Sequence, residues 1–172
     1  MKIALISGVI LASTAAGAVD WVDLGKTSDK EVQIFLDYDS VKRQNITVYG
    51  GASSFRSAKE KPKYISAIFQ STFINKNPLR KKGFYYSKEQ WFISCEDQNY
   101  FVKARIVYGF KDEVMESWQS PKGTLSESDF SYAFPETMAG NNVETACASI
   151  LLKEIDSTEN YEEFRRKYIF DD

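Results

Sequence analysis

Residues 90–110, QWFISCEDQNYFVKARIVYGF, contain the clearest β-hairpin signature in this chain. Two runs rich in aromatic and β-branched residues, 90–95 and 100–110, are separated by a short link of turn-forming residues. Runs of this composition favour strands, and a link this short brings consecutive strands together antiparallel. The segment therefore predicts two neighbouring strands of an antiparallel sheet.

Alternation along these two strands predicts which side chains share a face. Trp91, Ile93 and Cys95 lie on one face of the first strand. On the second strand the same rule groups the residues opposite Lys103 and Arg105, namely Tyr100, Val102, Ala104, Ile106 and Tyr108. Cys95 is therefore expected to point toward an apolar layer.

Four further segments predict strands, either by alternation or by apolar residues on both faces: 32–38, 45–55, 64–74 and 113–119. Asp37-Tyr38-Asp39-Ser40 supplies turn-forming residues after the first of them, and Gly50-Gly51 indicates a bend in the second. The intervening stretches 75–87 and 120–135 contain Pro, Gly and Ser and predict exposed connections.

A helix is predicted near the C-terminal end of the sequence. Asn141 or Asn142 can cap its start, and Cys147 lies on its apolar stripe. The stripe recurs at offsets of three and four and consists of Val143, Ala146, Cys147, Ile150, Leu151 and Ile155. A second helix is indicated over 161–170. Six strands followed by a helix define an α+β fold in which the helix covers one sheet face.

The N-terminus predicts an export signal. Residues 1–18 combine a single Lys2, a short apolar stretch and an Ala16-Gly17-Ala18 end, which together are typical of a secretory signal peptide. We expect cleavage after Ala18 and one mature domain over 19–172. Outside the cytosol the two cysteines of the chain, Cys95 and Cys147, should form one disulfide.

Composition limits the function classes. Apolar residues make up 43% of the chain, enough for a globular core, and the formal net charge of -2 does not indicate nucleic-acid binding. Beyond the N-terminal stretch, no segment is apolar and long enough to predict a transmembrane helix. Histidine is absent, which excludes Ser-His-Asp and Cys-His catalysis and His-ligated zinc. We therefore predict no enzymatic activity, no metal and no cofactor.

A basic and aromatic segment is the preferred contact region. Arg80, Lys81 and Lys82 lie close in sequence to Tyr85 and Tyr86, and such a combination can bind an acidic segment of a partner, heparin-like glycans or lipid phosphate. Two alternatives remain open: the cations belong to a solvated loop, and the aromatic rings pack in the core. Trp118 is a further candidate for an aromatic contact surface.

Three acidic pairs are candidates for catalytic or calcium-binding groups: Asp37 with Asp39, Glu96 with Asp97, and Asp112 with Glu113. No glycine-bearing calcium loop surrounds the first pair, and the other two lie in hairpin links. Acidic residues at such positions commonly cap turns. Turn capping is therefore the preferred interpretation of all three.

Several of these features together resemble the surface-adhesin protein E family of Gram-negative bacteria. The resemblance rests on an early Trp21, Leu36-Asp37-Tyr38-Asp39-Ser40-Val41, Cys95 after an aromatic strand, Tyr108-Gly109 before a polar turn, and Cys147 in a C-terminal helix. It implies a six-stranded antiparallel sheet with the helix tied to its concave face. It also implies binding of host proteins such as vitronectin, laminin and plasminogen. Unlike the namesake adhesin, this sequence has no lipid-anchor cysteine near the predicted cleavage point.

The leading hypothesis is an exported, non-catalytic binding module that recognises a protein through loops and a sheet edge. It would be periplasmic or secreted, or associated with the cell surface without a lipid anchor. The first alternative is a soluble periplasmic envelope accessory protein that binds a small molecule or a bacterial partner. The second is a hydrolase that depends on carboxylates.

Overall fold

The fold is an antiparallel sheet with one long helix, in a computed structural model that describes residues 19–49 and 63–156. The predicted signal peptide (1–18), part of the predicted strand 45–55 and the predicted helix 161–170 lie outside the described residues. In chain order the elements are β1 (Trp21–Lys26), β2 (Val32–Gln44), β3 (Val48–Tyr49), β4 (Tyr64–Phe73), α1 (Pro78–Lys81), β5 (Tyr86–Ser94), β6 (Asn99–Tyr108), β7 (Val114–Gln119), β8 (Leu125–Ser126), a 3-10 turn (Glu127–Asp129), β9 (Ser131–Tyr132) and α2 (Met138–Asp156).

The main sheet has the order β1-β2-β4-β5-β6-β7, with every neighbouring pair antiparallel. The short strand β9 also pairs with the first residues of β6. Strands β3 and β8 form a separate two-stranded parallel sheet. The predicted α+β class, with a sheet of about six antiparallel strands and a C-terminal helix, is confirmed.

The identity of one strand in that sheet differs from the prediction. Strand β1 was not predicted, yet it pairs along β2 with a bulge between Asp23 and Gly25. Gly25 has a φ of +93°, a left-handed conformation that glycine adopts without strain. The predicted strand 45–55 contributes only β3 within the described residues, and β3 is outside the main sheet.

Helix α2 covers one face of the sheet, as the apolar stripe predicts, although Leu151, which the predicted stripe includes, is 55% exposed. Val143, Ala146 and Ile150 are buried against a layer of sheet residues. That layer includes Leu36, Ile65, Ala67, Phe69, Trp91 and Ile93. The helix begins four or five residues earlier than predicted, because the Thr137 hydroxyl accepts the Gly140 N–H and so caps the start in place of Asn141 or Asn142.

A disulfide joins Cys147 of α2 to Cys95, which directly follows β5. The two Cα atoms are 5.7 Å apart and 52 residues apart in sequence. Cys147 is buried and Cys95 packs against the same core cluster. The predicted bond between helix and sheet is therefore present, and it connects elements that are distant along the chain.

The opposite face of the sheet carries a smaller apolar cluster. Val48, Tyr64 and Leu125 are its buried members, so β3 and β8 cover this part of the face. Phe130 packs with its ring centroid 5.3 Å from that of Tyr64. The predicted loop 120–135 is thus only partly irregular, because it contains β8, the 3-10 turn and β9.

Strand β2 is interrupted where turn-forming residues were predicted. Its pairing with β4 shifts between Asp37 and Lys42. A carboxylate oxygen of Asp37 accepts the Ser40 N–H at 3.1 Å, and the Ser40 hydroxyl accepts the Ile68 N–H at 2.8 Å. Asp37 therefore caps a turn, as expected, but the turn forms a bulge within one long strand.

Lys153 of α2 binds the backbone of this bulge. Its ammonium group donates to the Tyr38 carbonyl at 2.6 Å and to the Val41 carbonyl at 3.1 Å, and it lies 4.4 Å from the centroid of the Tyr38 ring. Nearby, Arg43 and Glu154 form an ion pair at 2.9 Å. The C-terminal end of α2 is thereby fixed to β2.

A bulge in β6 shows that its predicted faces are partly wrong. Pairing with β5 shifts between Gln90 and Trp91, since Gln90 is opposite Ala104 while Trp91 is opposite Val102. The extra residue is Lys103, and every side chain after it changes face. The expectation that Ala104, Ile106 and Tyr108 share a face with Val102 is wrong. Arg105 and Val107 lie on the helix-covered side instead.

The first prediction concerns the disulfide. The double variant Cys95→Ala/Cys147→Ala should lose about 4 kcal/mol of unfolding free energy, because the bond closes a loop of 52 residues in the unfolded chain. Urea denaturation followed by circular dichroism measures the loss. Reduced wild-type protein is the matched control and should show a similar decrease. An unchanged midpoint in both samples would contradict the stabilising role.

The second prediction concerns Lys153. Lys153→Met should destabilise the fold by about 2 kcal/mol, because two carbonyls of β2 lose a charged donor. Lys42→Met is the control, since Lys42 is exposed and should change stability by less than about 0.5 kcal/mol. Denaturant titration measures both, and equal effects would show that the carbonyl contacts contribute nothing.

Candidate functional site

Two of the three predicted cations, Arg80 and Lys81, belong to α1, the short helix that replaces part of the predicted loop 75–87, and Lys82 directly follows it. The Asn77 side chain accepts the Leu79 N–H at 2.8 Å, and Pro78 occupies the first helical position. Gly83, with a φ of +89°, ends the helix. This compact unit holds Lys81 and Lys82 exposed to solvent and Arg80 partly buried.

Arg80 stacks on the ring of Tyr85, which in turn packs against the ring of Phe110. Its guanidinium carbon is 3.2 Å from the centroid of the Tyr85 ring, and that ring lies 4.9 Å from the ring of Phe110. A guanidinium stacked on an aromatic face is attracted by the ring's quadrupole and loses side-chain freedom. The predicted neighbours Arg80 and Tyr85 are therefore in contact, and the structure adds Phe110, which is 69% exposed.

Tyr86 has different partners from Tyr85. Its ring stacks on Tyr108 at 4.6 Å, and its hydroxyl donates to a carboxylate oxygen of Asp112 at 2.9 Å. Burial and the neighbouring Asp112 carboxylate raise the pKa of Tyr86 to about 12. This tyrosine packs against the turn between β6 and β7, so the predicted pair of tyrosines does not act as one patch.

Strand β7 is the second exposed feature of this region. All of its residues are exposed, and Val114, Met115 and Trp118 are large apolar members. In the described sheet β7 pairs with β6 along one edge and ends the strand order. An exposed apolar edge strand offers unpaired backbone groups to another chain.

We name these features together the rim surface: Arg80, Lys81, Lys82, Tyr85, Phe110 and strand β7. The turn that carries Phe110 leads directly into β7, so the aromatic stack and the edge strand follow one another along the chain. The rim surface thus combines positive charge, exposed rings and a strand edge that no other described strand pairs. Sequence reasoning identified Trp118 but missed Phe110, Val114 and Met115.

Three members of the acidic pairs, Asp97, Asp112 and Glu113, bind other residues of the chain. Asp97 binds Lys63 at 2.5 Å and accepts from the Ser94 hydroxyl at 2.8 Å. Glu113 accepts the Lys111 N–H at 2.6 Å, while Asp112 holds Tyr86. Over 19–49 and 63–156, no three Cys, Asp or Glu side chains come together in a way that could hold a metal ion. These contacts favour the turn-capping interpretation.

No protein-family model matches the chain, and no curated protein matches it significantly. Within the part of the chain that the structure covers, no helix has the length and apolar character needed to cross a membrane. A disulfide is compatible with a location outside the cytoplasm. The candidate site is therefore defined by its geometry alone.

The third prediction concerns Tyr86. Because burial and Asp112 raise its pKa to about 12, above the ordinary value of about 10, the folded chain holds the phenol proton more tightly than the unfolded chain. The resulting stabilisation is complete below pH of about 10 and is lost as the pH rises through about 12. The Cζ shift of ¹³C-labelled tyrosine, assigned with Tyr86→Phe, reports this pKa.

Asp112→Asn tests the charge contribution. Asp112 has a φ of +60°, which asparagine also tolerates, so the turn should persist. The pKa of Tyr86 should fall toward its ordinary value but stay above it, because burial is the larger cause. A pKa unchanged by this substitution would show that Asp112 does not influence the phenol.

Proposed function

We propose that this protein is an exported, non-catalytic binding module of surface-adhesin type that recognises a protein partner through the rim surface. The observation that carries the proposal is the exposed edge strand β7 beside the stack of Arg80, Tyr85 and Phe110. An extended segment of a partner can add to such an edge through backbone hydrogen bonds. Large exposed side chains beside it can supply specificity.

The charge of the rim surface supports an acidic partner segment. Lys81 and Lys82 are exposed, and Arg80 is already ordered by its ring contact, so little side-chain freedom remains to be lost on binding. Glu116 is the one charged residue within β7 itself. Attraction from the three cations would therefore steer a partner, while the rings and the strand edge would hold it.

A non-catalytic role is supported by the residues available. The chain contains no histidine, and one member of each acidic pair, Asp37, Asp97 or Glu113, accepts a hydrogen bond from a residue two or three positions away. The family resemblance suggests host proteins as the first partners to test. A periplasmic accessory role is the competing proposal.

The fourth prediction is a binding experiment with a matched charge control. Immobilised vitronectin, laminin and plasminogen are offered to the mature protein and to the variant Arg80→Glu/Lys81→Glu/Lys82→Glu. Capture should fall at least tenfold in the variant, and wild-type capture should weaken with added salt. The control Lys26→Glu/Lys30→Glu/Lys42→Glu makes the same charge change at exposed positions elsewhere and should retain capture.

A second variant tests the edge strand. Trp118→Ala removes a side chain that is 53% exposed, so folding should be unaffected, but capture should fall about tenfold if this ring anchors the partner. Capture that is insensitive to both rim variants would refute the rim surface. Capture only of a bacterial envelope protein, still sensitive to both variants, would replace the adhesin role with the accessory role.

A further inference from the structure

A cavity of about 320 Å³ lies on the helix-covered face of the sheet, beyond the start of α2. Its floor includes Phe73 and Val107, which are each 8% exposed. Leu79 and Phe84, from α1 and the segment after it, form one wall, and Met138 at the start of α2 forms another. Its volume is at the lower end of the range of about 300–1,000 Å³ that is typical of small-ligand pockets.

The cavity exists because the helix covers only part of this face. In β4, Phe73 lines the cavity and lies four positions after the core residue Phe69. In β5, Ser87 lines the cavity and lies four positions before the core residue Trp91. Helix α2 covers Phe69 and Trp91 but begins only at Met138. Residues of α1 and the segment after it line the remaining strip of the face but do not fill the space above it.

The bulge at Lys103 decides which side chains of β6 reach this strip. Because the register shifts there, Arg105 is opposite Glu89 and Val107 is opposite Ser87. Without the bulge Ala104 and Ile106 would face the cavity. The bulge therefore supplies one charged and one apolar group to a site that simple alternation does not predict.

Two polar residues at the cavity, Glu89 and Arg105, already bind each other. One Glu89 carboxylate oxygen accepts from the Arg105 guanidinium at 2.6 Å, and the other accepts the Trp91 indole N–H at 2.8 Å. Glu89 is largely shielded from solvent, so this pair forms a fixed and locally neutral part of the wall. It leaves little capacity to bind a ligand charge.

Two other polar groups at the cavity are available. Ser87 is only 4% exposed, and its hydroxyl has no hydrogen bond to any described residue. Glu116 of β7 also lines the cavity and forms no ion pair with the described residues. Since Glu89 and Arg105 offset each other, Glu116 gives the lining an excess of one negative charge.

We infer that this cavity binds a small amphiphile with an apolar chain and a protonated amine. The chain would pack on Phe73, Val107 and Phe84, where burial of apolar area is favourable. The ammonium would lie toward Glu116, and the Ser87 hydroxyl would accept from a donor of the ligand. This site goes beyond the proposed protein recognition and does not depend on it.

The fifth prediction uses three six-carbon probes that differ only in the head group: hexylammonium, hexanol and hexanoate. Each is titrated into the ¹⁵N-labelled mature protein, and amide shifts are recorded. Hexylammonium should bind most tightly and hexanoate least, with the largest shifts at residues around Phe73, Phe84 and Val107. Absence of shifts there, or equal or tighter binding of hexanoate, would overturn the inference.

Variants separate the charge from the apolar walls. Glu116→Gln should weaken hexylammonium binding about two- to fivefold and leave hexanol binding unchanged, since an exposed carboxylate contributes modestly. Glu144→Gln, on the exposed side of α2, is the matched control and should change neither. Leu79→Ala/Met138→Ala should weaken both probes, because these exposed side chains form walls rather than core. Equal effects of the two glutamate variants would refute the assigned charge.

Discussion

The fixed position of α2 against one face of the sheet is the constraint on which the rest of the structure depends. The helix is the last described element, and its contacts are with strands far away in sequence. Burial of Val143, Ala146 and Ile150 over Ile65, Phe69 and Ile93 supplies the packing. The bond between Cys95 and Cys147 limits the unfolded chain by closing a loop of 52 residues. The packing and the disulfide both join α2 to the same face of the sheet, so together they fix the position of the helix.

Strand β2 accommodates the other end of this helix. A regular strand pairs all its carbonyls in the ladder, but the bulge after Asp37 removes several of them from pairing with β4. Ser40 replaces one ladder acceptor for Ile68, and Lys153 donates to two carbonyls of the bulge. The helix thus compensates a defect in the sheet that it covers. The helix and the bulge therefore stabilise each other, and this contact holds the C-terminal part of α2 against β2.

Local patterns in the sequence predict the strands and the helix well, because each depends on neighbouring residues. The hairpin of β5 and β6 and the buried stripe of α2 are of this kind. Strand β1 escapes prediction because its alternation is short, with only Val22 and Leu24 marking the apolar face, and α1 is too short to show a helical period. The predicted faces of β6 are wrong for a different reason. The single extra residue Lys103 moves every later side chain to the other face, and only the register with β5 reveals it.

The candidate site likewise combines contacts that neighbouring residues predict with contacts that depend on the register between strands. Proximity in sequence predicts the contact between Arg80 and Tyr85 but cannot predict Phe110, which is brought to Tyr85 by the turn after β6. Nor can it predict that Tyr86 would be bound to Asp112 instead. Contacts across strands depend on register, and register is set by bulges and turns along the whole sheet.

The exposed edge of the sheet can be judged against how proteins usually protect such edges. Edge strands commonly carry lysines, prolines or inward charges that discourage pairing with another chain. Strand β7 has Glu116 as its single charged residue, and Pro121 comes only after the strand has ended. Val114, Met115 and Trp118 remain exposed on it. Three large apolar side chains are exposed on an edge that no other described strand pairs. A partner that covers this edge, as proposed above, would account for a sequence that otherwise promotes aggregation.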